Sequence, residues 1–204
     1  FSARQIGRSI QEIFNIRLAL GYTLTIGLVQ GAFLSYLNSA QQIFQEQYAL
    51  GNLFPIYFAV VPLSLGLASF LNARFVMRYG MRQLVSWSLT AVFTLAIIFL
   101  GIALYASGQP PLWLLMVYLM VSFFGIGILF GNVNALAMQP LGHLAGVGAA
   151  VVGALSTLIS TVLGMIVGQS YNGTIIPFTI GVLVLSGLAI ATSRWAESKE
   201  SSDG

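Results

Sequence analysis

Six apolar runs, each long enough to cross a membrane, alternate with short polar connections along the chain. The runs cover residues 18–38, 50–71, 84–106, 112–137, 144–168 and 175–192. A helix needs about 20 mostly apolar residues to cross the hydrocarbon core of a bilayer. Because the runs reach that length, the pattern predicts an all-α, polytopic membrane protein with one six-helix transmembrane bundle over residues 18–192.

Composition leads to the same class. Of the 204 residues, 57% are hydrophobic and only 6% are charged, whereas a soluble domain carries about a quarter charged residues. Membrane lipids are therefore the expected surroundings. The net charge of +3 does not predict a nucleic-acid partner, because the basic residues stand at the ends of the apolar runs rather than on a soluble face. The chain has no cysteine and so offers no disulfide or thiolate ligand.

The basic residues form three clusters on alternate connections, and the other connections hold none of them. The clusters are Arg4, Arg8 and Arg17; Arg74, Arg78 and Arg82; and Arg194 and Lys199. Because basic loops are retained on the cytoplasmic side, we expect both termini to be cytoplasmic. Residues 1–17 are then a cytoplasmic lead-in or the end of a linker, and residues 193–204 a disordered cytoplasmic tail.

The apolar runs carry little that can support catalysis. All the acidic residues lie outside them: Glu12, Glu46, Glu197, Glu200 and Asp203. A hydrolase needs a nucleophile with a base in reach, and the single histidine, His143, at the start of a predicted span, is a weak candidate for that base. The Gly-rich Lys-Ser/Thr loop that binds ATP phosphates is also missing. We therefore predict no enzyme activity, catalytic residue, cofactor or metal site.

Uncharged polar and aromatic side chains inside the spans are the candidates for a substrate-binding cavity. We predict that its wall includes Gln30, Tyr36, Tyr57, Phe58 and Asn132. A pocket for a mostly apolar solute combines a few polar contacts with aromatic surfaces, and these residues offer both. The alternative interpretation is that the rings pack against other helices or face lipid.

Other residues within the spans also have two interpretations. Ser156, Thr157, Ser160 and Thr161 either line a cavity or hydrogen-bond within and between helices. Small residues permit close helix contact, and we predict such packing at Gly27, Gly31, Gly146, Gly153, Gly164 and Gly168. The alternative for the fifth span is a smooth moving face of a rocking transporter. Pro62 predicts a bend that frees backbone carbonyls, which other groups must satisfy.

The second basic cluster carries a family resemblance. Arg74, followed by the basic-x-Gly-x-basic core of Arg78, Gly80 and Arg82, resembles the cytoplasmic loop in the second half of the major facilitator superfamily. Residues 70–74, 134–137 and 145–150 are similar to the bicyclomycin-resistance/CflA type of drug exporter. Two positions depart from these patterns: Met77 replaces an acidic residue before the loop's core, and Ser39-Ala40 replaces Ser-Pro after the first span.

The resemblance implies an architecture and a role. The six spans would be the C-terminal half of a twelve-span transporter in a bacterial inner membrane, built as a 3+3 inverted repeat. Its partner would be the N-terminal six-helix half of the same transporter or a second copy. The family implies proton-coupled export of small amphiphilic molecules, with the proton carried by the other half. The alternative is a six-span binding or assembly module that works as a homodimeric half-transporter or a membrane scaffold.

Overall fold

The computed structural model describes residues 10–11 and 14–198, and for His143 and Leu144 it describes the backbone only. Its six long helices are α1 Arg17–Gln41, α2 Phe54–Tyr79, α3 Met81–Tyr105, α4 Leu112–Met138, α5 Ala145–Gln169 and α6 Ile176–Glu197. Each is long and apolar enough to cross a membrane, and no strand occurs among the described residues. The predicted all-α, six-helix transmembrane class is therefore confirmed.

Several helices extend beyond the predicted ends of their spans. α1 passes into a π-helical segment, Gln42–Gln47, and a 3₁₀ turn, Gly51–Leu53, precedes α2. The predicted connection at 72–83 is helical except at Gly80, which has a φ of 79° and a ψ of 158°. Ala, Arg, Met and Gln favour helix, so α2 and α3 continue past the apolar limit, and Gly80 takes the positive φ that separates them.

α6 likewise continues to Glu197, beyond the predicted end of the sixth span at residue 192. Arg4, Arg8, Lys199 and the rest of residues 199–204 lie outside the described residues. The described arginines stand at helix ends that share one end of the bundle, called here the arginine end: Arg17, Arg74, Arg78, Arg82 and Arg194. The other end, called here the loop end, holds the connections 42–53, 106–111 and 170–175.

The helix contacts repeat between the two halves of the chain. α1 packs mainly on α5 and α6, while α4 packs mainly on α2 and α3. α1 also contacts α4, and α3 contacts α6. If α1 is exchanged with α4, α2 with α5 and α3 with α6, the same helix pairs are in contact. Because α1 and α4 cross in opposite directions, the pattern is that of a 3+3 inverted repeat, and the fold is consistent with one half of a major-facilitator-type bundle.

Glycines place α1 directly against α5. A Cβ at Gly27 would lie 2.8 Å from Ile159, and a Cβ at Gly164 would lie 2.6 Å from the Cβ of Leu34. A Cβ at Gly168 would lie 2.6 Å from the Cβ of Asn38, and one at Gly31 would lie 3.3 Å from the Cβ of Leu163. Small residues let helix backbones approach in this way.

Gly146 and Gly153 behave differently from the four glycines of the α1–α5 contact. Both are exposed, and a Cβ at either would have no atom within 4 Å among the described residues. They therefore make no helix contact within the described chain. The reason is the narrow buried stripe of α5, which takes every fourth residue: Gly148, Val152, Ser156, Ser160, Gly164 and Gly168.

Candidate functional site

A polar pocket of about 430 Å³ lies between α1 and α5 toward the loop end. Its walls combine amide and hydroxyl side chains with two apolar ones: Asn38, Gln42, Thr161, Gln169, Leu34 and Met165. Gln42 begins the π-helical segment, and its side-chain oxygen Oε1 is buried with no hydrogen-bond partner among the described residues. A buried acceptor of this kind is costly unless a ligand or water satisfies it.

Helical spacing builds this pocket from both sides. Gln30, Leu34 and Asn38 on α1 are spaced four residues apart and share a face, and Gln42, at the start of the π-helical segment, continues this spacing. The corresponding face of α5 runs from Thr157 through Thr161 and Met165 to Gln169. The close glycine contacts bring these faces together. We call this surface, with its pocket, the polar face; it offers neutral donors and acceptors beside apolar side chains, with no charged side chain in the lining.

The hydroxyls of the fifth span divide between the two interpretations. Ser156 and Ser160 are buried and donate to the carbonyl oxygens of Gly153 and Thr157 in their own helix, at 3.1 and 3.0 Å. Thr157 and Thr161 are exposed, and Thr161 lines the polar pocket. The two serines therefore have a structural role within α5.

Tyr36 lies in an aromatic cluster rather than on an open wall. It is 1% exposed and stacks on Phe58, with ring centroids 5.7 Å apart and an interplanar angle of 8°. Phe123 meets it edge-on at 4.8 Å, and Phe44 does so at 6.4 Å. Tyr57 joins through Phe44, at 6.4 Å between centroids. Three of the predicted cavity residues are therefore close together, but within a packed cluster of rings.

Pro62 explains why this cluster contains a tyrosine. Pro62 lies inside α2 and has no N–H, so the carbonyl of Phe58, four residues earlier, loses its helical donor. The Tyr36 hydroxyl donates to that carbonyl at 3.0 Å. The freed carbonyl expected from the proline is thus satisfied by a side chain of the neighbouring helix.

Asn132 lies apart from both the polar face and the aromatic cluster. It is 2% exposed, and its Nδ2 donates to Asn72 Oδ1 and to the Ile128 carbonyl, each at 2.8 Å. Asn72 belongs to α2 and Asn132 to α4, so this amide pair connects the two helices within the apolar bundle. The described contacts give Asn132 a helix-joining role.

Glu197 organises the arginine end, although sequence reasoning placed it in a disordered tail. Its Oε1 lies 3.8 Å from Arg82 Nε and accepts a hydrogen bond from the Tyr22 hydroxyl. Close by, the Arg17 guanidinium stacks over the Trp195 ring at 4.7 Å and donates to the Trp195 carbonyl at 2.7 Å. These contacts join α1, α3 and α6, whereas Arg74 and Arg78 on α2 are exposed.

Hydrogen bonds tie the three connections of the loop end to one another. The Gly108 carbonyl accepts from Gln47 Nε2 at 2.8 Å and from the Ile175 N–H at 3.1 Å. The Tyr48 hydroxyl donates to the Pro110 carbonyl, and the Tyr171 hydroxyl donates to the Gln42 carbonyl at 3.3 Å. Burial raises the pKa of Tyr48 to about 12. Burial first, and then the Glu46 carboxylate, raise the pKa of Tyr171.

The predicted wall residues thus occupy three places. Gln30 lies on the polar face; Tyr36, Tyr57 and Phe58 lie in the aromatic cluster; and Asn132 lies in the amide pair. The sequence interpretation missed Asn38, Gln42 and Gln169, which stand at or beyond the predicted span ends. The spacing of four residues from Gln30 to Gln42 was a signal that pointed to them.

Six spanning helices with a neutral polar face define a multi-pass helical membrane protein. The chain is 27% identical over 167 residues to the uncharacterized MFS-type transporter YdgK of Bacillus subtilis (strain 168). The match covers 80% of this chain and 41% of the relative, so the chain spans less than half of that protein's length. This similarity supports the resemblance of the chain to the major facilitator superfamily. No family model and no solved structure matches.

Proposed function

We propose that the chain is the C-terminal half of a major facilitator secondary transporter that exports small amphiphilic, drug-like molecules by alternating access. The observation that carries the proposal is the polar face, whose pocket is lined by the amide side chains of Asn38, Gln42 and Gln169. Neutral amides among apolar side chains suit a ligand that is mostly apolar with a few hydrogen-bonding groups. The resemblance of the loop at Arg78, Gly80 and Arg82 to the superfamily motif supports the same assignment.

In this mechanism the six helices move together against the N-terminal half. α2 and α5 are the least buried of the six, so they have the most surface to offer to that half. On α5 the exposed side includes Gly146, Ala149 and Gly153, a smooth surface that can slide. Rocking would open the pocket between α1 and α5 to one side of the membrane and then to the other.

Proton coupling belongs to the other half in this proposal. Intramembrane carboxylates are the usual proton carriers of transporters. Among the described residues, the acidic side chains Glu46 and Glu197 both lie at bundle ends, one at the loop end and one at the arginine end. We therefore propose that this half binds substrate while carboxylates elsewhere in the transporter respond to the proton gradient.

An efflux assay on the complete transporter tests the site. Cells expressing the protein are loaded with ethidium, and the decay of its fluorescence gives the export rate. We expect Gln42→Leu to weaken export about tenfold, because one lost hydrogen bond to a buried ligand costs about 1.4 kcal/mol.

The matched control is Gln83→Leu, the same change at an exposed position of α3 outside the polar face. We expect it to leave export unchanged at equal expression. If Gln42→Leu and Gln83→Leu export ethidium and other amphiphilic compounds at the same rate as the unmodified protein, the polar face does not bind the substrate. Loss of ion dependence in Gln42→Leu, with export retained, would place coupling here and contradict the division between the halves.

A further inference from the structure

An apolar groove of about 320 Å³ lies on the opposite side of α4 from the α1–α5 contact, between α2, α3 and α4. It begins near Gly80, at the arginine end, and runs toward the middle of α4. Its lining is almost entirely apolar and includes Phe75, Leu84, Trp87, Val121, Phe124 and Ile128. Trp87 is 50% exposed, so the groove opens to the surroundings of the bundle.

Aromatic rings and a cation stand at the mouth of this groove. The rings of Tyr79 and Trp87 meet edge-on with centroids 5.3 Å apart, and both line the groove. The Arg78 guanidinium carbon lies 5.2 Å from the centroid of the Tyr79 ring. Arg78 has no ion-pair partner among the described residues, whereas Arg82 pairs with Glu197 on the other side of α3. A positive charge is therefore available beside an apolar slot.

We propose that the groove holds an acyl chain of an anionic phospholipid whose phosphate binds Arg78. Tyrosine and tryptophan concentrate at the level of the lipid headgroups, which is where the Tyr79–Trp87 pair then lies. Arginine binds phosphate oxygens with paired donors. The acyl chain extends from that level along Leu84, Phe124 and Ile128 toward the bilayer centre. This inference requires only that the bundle is in a membrane, and it does not depend on what the protein transports.

Charge separates this occupant from a neutral lipid or a protein. A protein helix seated here would cover the ring pair and leave Arg78 to find a carboxylate. A zwitterionic phospholipid would bring its own cation close to Arg78 together with its phosphate, so its net attraction to Arg78 is weaker than that of an anionic lipid. One basic side chain near an anionic surface contributes about 1 kcal/mol, or about fivefold in local lipid preference. An anionic lipid should therefore be enriched about fivefold at Trp87 over a zwitterionic one of equal chain length.

Tryptophan quenching by brominated lipids measures this enrichment directly. The protein is prepared with Trp87 as its single tryptophan, the others being changed to phenylalanine, and reconstituted into vesicles. Phosphatidylglycerol or phosphatidylcholine brominated on the acyl chains is then added at matched mole fractions. We expect phosphatidylglycerol to quench Trp87 with about fivefold higher apparent affinity, and Arg78→Gln to remove the difference.

Two controls show whether the effect belongs to the groove. Arg74→Gln removes the same charge one helical turn away on the same face of α2. Among the described contacts it is Arg78, and not Arg74, that lies beside the Tyr79 ring, so we expect the preference to survive Arg74→Gln. A protein with Trp113 as its single tryptophan reports from the start of α4, at the loop end, and should show no dependence on Arg78. Equal quenching of Trp87 by both lipids would overturn the proposal. It would also be overturned if Arg74→Gln and Arg78→Gln reduced the preference for phosphatidylglycerol equally. Absence of quenching by either lipid would show that protein fills the groove.

Discussion

The bond from Tyr36 to the Phe58 carbonyl gives the sharpest stability prediction. Tyr36→Phe keeps the ring, which remains stacked on Phe58, and deletes only the donor. Because Tyr36 is only 1% exposed, water does not replace the deleted hydroxyl, and the Phe58 carbonyl freed by Pro62 is left without a hydrogen-bond donor. A buried unsatisfied group costs about 1–3 kcal/mol, and measured side-chain bonds between membrane helices reach about 1.7 kcal/mol. We therefore expect Tyr36→Phe to lower the free energy of unfolding by about 1–1.5 kcal/mol.

A double-mutant cycle with Pro62→Ala isolates the cause. Alanine at position 62 restores an N–H that can donate to the Phe58 carbonyl within α2. In that background Tyr36→Phe should cost less than about 0.5 kcal/mol, so the coupling between the two changes should be about 1 kcal/mol. The free energies come from reversible unfolding in mixed micelles titrated with a denaturing detergent.

Pro55→Ala is the matched control for the cycle. Pro55 stands in the first turn of α2, where its N–H would have no helical acceptor, so alanine there restores no bond to Phe58. Tyr36→Phe should cost the same in the Pro55→Ala background as in the unmodified protein. An equal cost in all three backgrounds would refute the reasoning, because it would show that the proline does not create the demand for the tyrosine hydroxyl.

Two further predictions concern the helix contacts and the loop end. Gly164→Ala should destabilise the bundle by about 1–3 kcal/mol through overpacking, because its Cβ would lie 2.6 Å from the Cβ of Leu34. Gly153→Ala is the control, since its Cβ would meet no described atom within 4 Å. We expect Gly153→Ala to be neutral or stabilising in the same micelle assay. Tyr48 has a pKa of about 12 in the folded protein against an ordinary 10.0, so its contribution to stability is fully present below pH 10 and is lost as the pH rises toward 12. Tyr48→Phe should make the decline in unfolding free energy across that interval shallower, and an unchanged decline would assign it to other groups.

The fold was largely predictable because lipid requires long apolar helices, and their lengths can be read directly from the sequence. The helices continue into the predicted connection at 72–83 because falling hydropathy marks where lipid ends, not where a helix ends. Arg74 and Arg78 continue α2 at little cost, and only the positive φ of Gly80 interrupts it. Hydropathy alone therefore finds the crossings but does not locate the helix ends.

The candidate site was harder to predict because its residues depend on helix packing. Pro62 predicts a carbonyl that needs a donor, but only the contact between α1 and α2 identifies Tyr36 as that donor. Tyr36 was expected on a cavity wall because a tyrosine inside a span fits either role. Gln42 was missed because α1 continues as a π-helical segment, which places that side chain in the pocket after the apolar run has ended.

The carbonyl of Gly108 has a consequence for how the bundle can move. Gly108 takes a φ of 85°, and a Cβ there would lie 2.6 Å from Thr174, so a larger residue would push apart the two connections that it joins. Gln47 also donates to this carbonyl oxygen, so the connections next to α1, α3 and α6 are hydrogen-bonded to one another at the loop end. A force that tilts one of these helices is therefore transmitted to the other two, and we expect the three helices to move together at the loop end.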